Sequence, residues 1–71
     1  MKYEQSERTL ILSLGSVILK PGDLYLLGNK GLVGTGMYLG IDEDNSYSFL
    51  IEDEVLKVSH WALLAIGVQS T

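Results

Sequence analysis

Cysteine is absent from this 71-residue chain, proline and histidine each occur once, and basic side chains number five. Each scarcity closes a class of explanation. Without cysteine, neither a disulfide nor a thiolate metal site can staple a domain this small, and the absence fits a reducing compartment. A single histidine, His60, cannot build a His-based metal cluster, and no partner nucleophile or orienting acid is identifiable for it. Catalysis is therefore not expected, and no cofactor is implied. Five scattered basic residues in a chain of net charge −4 repel phosphate, so direct nucleic-acid binding is not expected either. The longest mostly apolar run, Val55 to Val68, is too short to span a bilayer and carries Lys57 and His60. No secretory h-region is read behind the charges of the opening MKYEQSERT, so a signal peptide is not expected. A soluble, cytoplasmic protein with no membrane partner is the expectation.

What is present is 46% hydrophobic and arranged in alternation. Residues 1–71 read as one small domain, of a size that buries only about 60% of the unfolded chain's surface, with residues 1–7 loosely attached. In GMYLGID, Met37, Leu39 and Ile41 share one face of a strand; in SYSFLI, Tyr47, Phe49 and Ile51 do the same. Asp44-Asn45 between them supplies turn chemistry, predicting a β-hairpin. KPGDLYLLG reads as a turn followed by a strand, and TLILSLGSVIL as a strand with a bend or bulge at Gly15. Gly28, Gly31, Gly34 and Gly36 predict a mobile or sharply turned connection. For EVLKVSHWALLAIGV, the favoured reading is strand Val55–Val58, a short helical turn capped by Ser59, and a last strand Ala65–Val68. The other is a helix from about His60 to Ile66 stopped by Gly67. Trp61 is expected in the core.

The series PGDLYLL, GMYLGI, SYSFLI, VLKV, HWALLAI is similar to the strand order of small SH3-like barrels, which place a short 3₁₀ turn before the last strand. The expected fold class is therefore mostly β: a small SH3-like barrel or curled antiparallel sheet, with one short helical turn near residues 59–64. The resemblance covers residues 21–68, and residues 8–19 lie outside it. It also implies a second function, an adaptor that binds a peptide or assembly partner through an aromatic groove.

Two motifs fail on spacing. Asp42, Asp44 and Ser46 fall at positions 1, 3 and 5 of a calcium loop, but Tyr47 stands where that loop needs glycine and Asp53 where it needs glutamate. GTGMYLG matches neither a P-loop nor a dinucleotide fingerprint.

The strongest signal is IDEDNSYSFLIEDE. Asp42, Glu43, Asp44, Glu52, Asp53 and Glu54 give residues 41–54 a charge of −6, with no basic residue among them. The rest of the chain sets Glu4, Glu7 and Asp23 against Lys2, Arg8, Lys20, Lys30 and Lys57, a balance of +2. Solvated turns account for one such triplet. Two within thirteen residues concentrate like charge at a cost to stability, most of it screened beyond about 8 Å. An extended path would set Asp44 and Glu52 about 26 Å apart, and a two-fold dimer would align four clusters into a ladder of negative charge.

Small, acidic, cysteine-free, β-rich chains of this kind resemble phage-encoded DNA-mimic inhibitors, including those that block the nucleoid protein HU of Bacillus hosts. The resemblance implies a basic DNA-binding host protein as partner and a homodimer acting in the host cytoplasm. It also implies partner-binding residues Asp42, Glu43, Asp44, Glu52, Asp53 and Glu54, with Glu4, Glu7 and Asp23 as extensions.

Overall fold

Gly15 decides how the apolar stretch from Thr9 to Leu19 folds. Its φ of 153° is open to glycine but strained for other residues, and the chain reverses beside it. In the computed structural model, which describes residues 3–13, 15–29 and 32–71, the stretch is a hairpin and not one bent strand. Strand β1 (Arg8–Leu12) pairs antiparallel with β2 (Gly15–Leu19), from Arg8↔Leu19 to Leu12↔Gly15. Alternation gives the pair an inner face of Leu10, Val17 and Leu19 and an outer face that leaves Ile11 and Ile18 in solvent.

The inner face packs against a five-stranded antiparallel sheet made of β3 (Leu24–Leu27), β4 (Gly34–Ile41), β5 (Tyr47–Ile51), β6 (Glu54–Val58) and β7 (Val68–Ser70). Their spatial order is β6-β5-β4-β3-β7. A meander runs from β3 to β6, and the last strand returns to pair with the first strand of that meander. This mostly β architecture, antiparallel strands with one short helix, is the fold class expected from the sequence. The Tyr25 hydroxyl ties the two sheets: it donates to the Ile18 carbonyl and accepts from the Lys20 N–H, both at 2.8 Å.

The β4–β5 hairpin forms where expected, but its faces differ from simple alternation. Tyr38 pairs with Phe49 and Gly40 with Ser48, so Leu39 is an extra residue on β4. This bulge turns Ile41 onto the face of Tyr38, where it packs with Tyr47, and Met37, Leu39 and Ile41 do not share one face. Gly34 and Gly36 belong to β4 and not to the connection before it; Gly31 lies outside the described residues. Gly36 is a packing glycine. A Cβ there would stand 2.9 Å from Ile51 Cγ1 and 3.2 Å from Phe49 Cβ.

Helix α1 (His60–Ile66) combines the two readings of its segment. Ser59 caps it, its Oγ accepting from the Ala62 N–H at 3.2 Å, and Gly67 at φ 88° ends it. The turn is α and not 3₁₀, since Leu63 N–H donates to the Ser59 carbonyl. Residues 65 and 66 are helical, so the last strand begins at Val68 and not at Ala65. Trp61 is corrected as well: it is 76% exposed. A seven-residue helix on a sheet buries one side, and Leu63 occupies it. Trp61, two positions earlier, sits about 200° round the axis.

Phe49 and Tyr38 centre the core, their rings 5.3 Å apart, with Tyr25 edge-on to Phe49 at 6.5 Å. Burial pushes the Tyr38 phenol up to about 12. Of the segment read as loosely attached, residues 1 and 2 lie outside the described residues. Glu4 exchanges backbone hydrogen bonds with Ile41 (2.8 and 3.4 Å), and Gln5 Nε2 donates to the Leu39 carbonyl at 2.8 Å. That arm crosses Gly40, where a Cβ would run into the Glu4 carbonyl oxygen.

Candidate functional site: two acidic turns at the ends of β5

Each acidic triplet occupies a hairpin turn beside β5. The first lies between β4 and β5, the second between β5 and β6. The two do not merge into one cluster. Only residues 47–51 of the connecting segment are extended, so β5 itself spans about 13 Å. The turns are closer than the 26 Å of a fully extended path.

In the first turn Asp42 holds the backbone together. Its N–H donates to the Ser46 carbonyl, its carbonyl accepts from the Asn45 N–H, and its Oδ1 accepts from the N–H groups of Asp44 and Ser46, all at 3.0 Å. Asn45 takes the left-handed conformation at φ 63° that its side chain tolerates. Lys57 then enters from β6. It sits opposite Ser48 in the ladder, and its Nζ stands 2.9 Å from Oδ2 of both Asp42 and Asp44. The Lys57 ammonium, followed by the Ser46 and Asp44 amides, holds the Asp42 carboxyl below its usual value. Reciprocally, Asp42 and then Asp44 raise the Lys57 ammonium above its usual range. Asp42 is thus a structural acid, with a side chain only 10% exposed. Asp44 is ion-paired, and Glu43 is exposed with no cation within pairing distance among the described residues. Against three carboxylates stands one ammonium, so this turn carries −2.

The second turn has no such support. Ile51 pairs with Glu54, leaving Glu52 (φ 48°) and Asp53 (φ 69°) as the two central residues of a tight hairpin. Positive φ at both positions is the signature of a type I′ turn, for which Asn-Gly is the favoured pair. Asp tolerates that region; Glu does so poorly, at a cost of order 1 kcal/mol. Glu52, Asp53 and Glu54 are all exposed, and among the described residues no basic group pairs with them. This turn carries its full −3.

Of the six candidate residues, Asp42 and Asp44 are therefore engaged within the chain, while Glu43, Glu52, Asp53 and Glu54 remain available to a partner. Glu4 pairs with Arg8 at 2.6 Å. Sequence reasoning missed Lys57 as a member of the first turn. Its signal was register alone, since strand pairing and not sequence proximity brings it there. Among the described residues, no three His, Asp or Glu side chains are placed to hold a metal ion, and no helix is long and apolar enough to cross a membrane.

Beside β5 the rings converge in file. Tyr47 follows Tyr38 with centroids 6.4 Å apart, His60 follows Tyr47 at 6.0 Å, and Trp61 stands edge-on to His60 at 5.4 Å. The Tyr47 hydroxyl lies 3.2 Å from His60 Nδ1. Compared with protein-family models, curated proteins and solved structures, the chain matches none.

Proposed function

We propose that the chain is a non-enzymatic binding protein that uses the two acidic ends of β5 to occupy the DNA-binding surface of a basic protein, an HU-type nucleoid protein being the partner that the resemblance implies. The observation that carries this reading is the exposure of Glu43, Glu52, Asp53 and Glu54 at two turns held apart by one rigid strand. Separated negative charge on a fixed spacer is what a phosphate-binding surface accepts, and it speeds encounter over long range. Lys57 offsets one charge of the first turn, leaving −2 there against the full −3 of the second.

The test is displacement of duplex DNA from a purified HU-type protein by the chain, measured by fluorescence anisotropy across a salt series. Displacement should weaken steeply with ionic strength. Glu52→Lys with Glu54→Lys should weaken it about 10-fold or more, whereas Glu43→Lys alone should act less. Reversal of Asp42 is unsuitable, because it would break the turn itself. No displacement at low salt, or displacement indifferent to salt and to both reversals, overturns the proposal.

A second reading is favoured by one observation, the exposure of Trp61 at the end of the ring file. An adaptor module anchoring a peptide or assembly partner on Trp61 would lose that partner on Trp61→Ala and would tolerate salt.

A further inference from the structure

Strand β6 ends the five-stranded sheet, with β5 on one side and no strand on the other among the described residues. Which of its backbone groups face outward follows from the hairpin. Ile51 and Glu54 close a two-residue turn and are therefore a hydrogen-bonded pair. Alternation makes Phe49↔Leu56 and Tyr47↔Val58 hydrogen-bonded pairs as well, so Glu54, Leu56 and Val58 spend their N–H and C=O groups on β5. Val55 and Lys57 point theirs away from the sheet. Among the described residues, no backbone hydrogen bond reaches those outward groups.

Both ends of this edge are acidic. Glu52, Asp53 and Glu54 stand at its start with −3, and the β4–β5 turn, left at −2 by Lys57, stands at its end. Between them lies apolar surface, with Val55 49% exposed and Leu56 half-buried. A lysine on an edge strand ordinarily guards it against pairing. Lys57 does not project in that way, because its ammonium reaches back to Asp42 and Asp44.

We infer that the β6 edge accepts an extended segment of a basic protein as an added strand, its backbone pairing with Val55 and Lys57 and its Lys or Arg side chains meeting the acidic turns at both ends. The open edge selects an extended chain, since only that conformation presents donors and acceptors at a matching repeat. The charges select its composition. A second copy of β6 fits badly: paired parallel, it would set one Glu52–Glu54 turn beside the other. Paired antiparallel, it would set that turn beside its neighbour's −2 turn. A segment with basic residues at both ends of about 16 Å of strand, and β-branched residues between them, meets attraction throughout. The inference rests on the proposed engagement of a basic protein and specifies how that protein's chain is held.

The probe is a blocked synthetic peptide of two lysines, valine, threonine, valine and two lysines, titrated into the isotope-labelled chain at low salt and followed by NMR. The peptide should bind, and at saturation the amide protons of Val55 and Lys57 should exchange with solvent about 10-fold more slowly or less than that. Methylation of the peptide's three central amide nitrogens keeps its charge and removes its donors; affinity should fall about 10-fold or more. On the chain, Val55→Pro deletes one outward N–H without touching a β5–β6 hydrogen bond and should weaken binding in the same direction. If that variant fails to fold, the methylated peptide carries the test alone. Equal binding of the two peptides, or no protection at Val55 and Lys57, overturns the edge pairing, while displacement of DNA by the acidic turns stands or falls separately. Binding that is indifferent to Glu52→Lys with Glu54→Lys overturns the choice of a basic occupant. No binding at millimolar peptide overturns the inference as a whole.

Discussion

The two acidic turns have nearly the same composition and opposite physics. In the β4–β5 turn, Asp42 satisfies two backbone amides and shares Lys57 with Asp44, so acid chemistry builds the local structure. In the β5–β6 turn the acids bond to nothing among the described residues, and Glu52 sits in a backbone conformation that suits asparagine or glycine better. The comparison teaches that a run of carboxylates has no meaning until its partners are known. One triplet is mostly scaffold; the other is strained, solvated and available.

Removal of the strut between them has the largest expected effect. Phe49→Ala should cost about 3–5 kcal/mol, most of the stability of a domain this size, and both turns should lose order together; urea unfolding followed by circular dichroism measures it.

Next comes the cation. Lys57→Met should lower the urea midpoint near neutral pH by more than any single change in the second turn. That loss should follow pH with a defined sign. Asp42 has a lowered folded value, so its contribution is complete above the ordinary carboxylate range near 4 and disappears as pH falls through the lower folded value. Lys57 has a raised folded value, so its contribution is complete below about 10.4 and disappears as pH rises beyond it. Wild type and Lys57→Met should therefore converge in acid. A difference that persists at the lowest pH would mean that Lys57 acts by packing and not by charge.

The second turn responds in the opposite direction. Glu52→Asn with Asp53→Gly supplies the residues a type I′ turn favours and should raise stability by about 1 kcal/mol, while removing two of the charges needed for binding a basic partner. Stability and binding would then move apart in one variant, read by urea midpoint and by DNA displacement. The smallest effect belongs to Glu43→Gln, which should change the urea midpoint by less than about 0.5 kcal/mol in equivalent stability.

Where the signal was local, the sequence was readable. Asp44-Asn45 marked the β4–β5 turn, Pro21-Gly22 the turn before β3, and Ser59 the start of α1, while its end at Gly67 belonged to the reading that was not favoured. What escaped depended on contacts between distant segments or on features without a residue code. Gly40, at φ 127° directly after Leu39, is the residue signal of the bulge and was read as an ordinary strand position, which reversed the assignment of Ile41. The β1–β2 hairpin lacks an Asn-Gly or Asp-Gly signal, so Gly15 read as a bend. Trp61 read as core because aromatic rings usually are; only the shortness of α1 and the placing of Leu63 send it outward. In the candidate site the acids were visible at once, but Lys57 joins Asp44 across thirteen residues of sequence, and only the β5–β6 register explains the pairing.

The return of β7 to β3 has a kinetic consequence. Every other strand pairing joins neighbours in the sequence and can form within a hairpin, but this one links segments as far apart as Leu24 and Thr71, 47 residues. Closing so long a loop costs chain entropy before any contact is made in return, so the meander should assemble first and the clasp between β3 and β7 last. The clasp would then also be the first part to release. Transient opening at that edge would expose the β3 backbone while the acidic turns, carried by the meander, keep their shape.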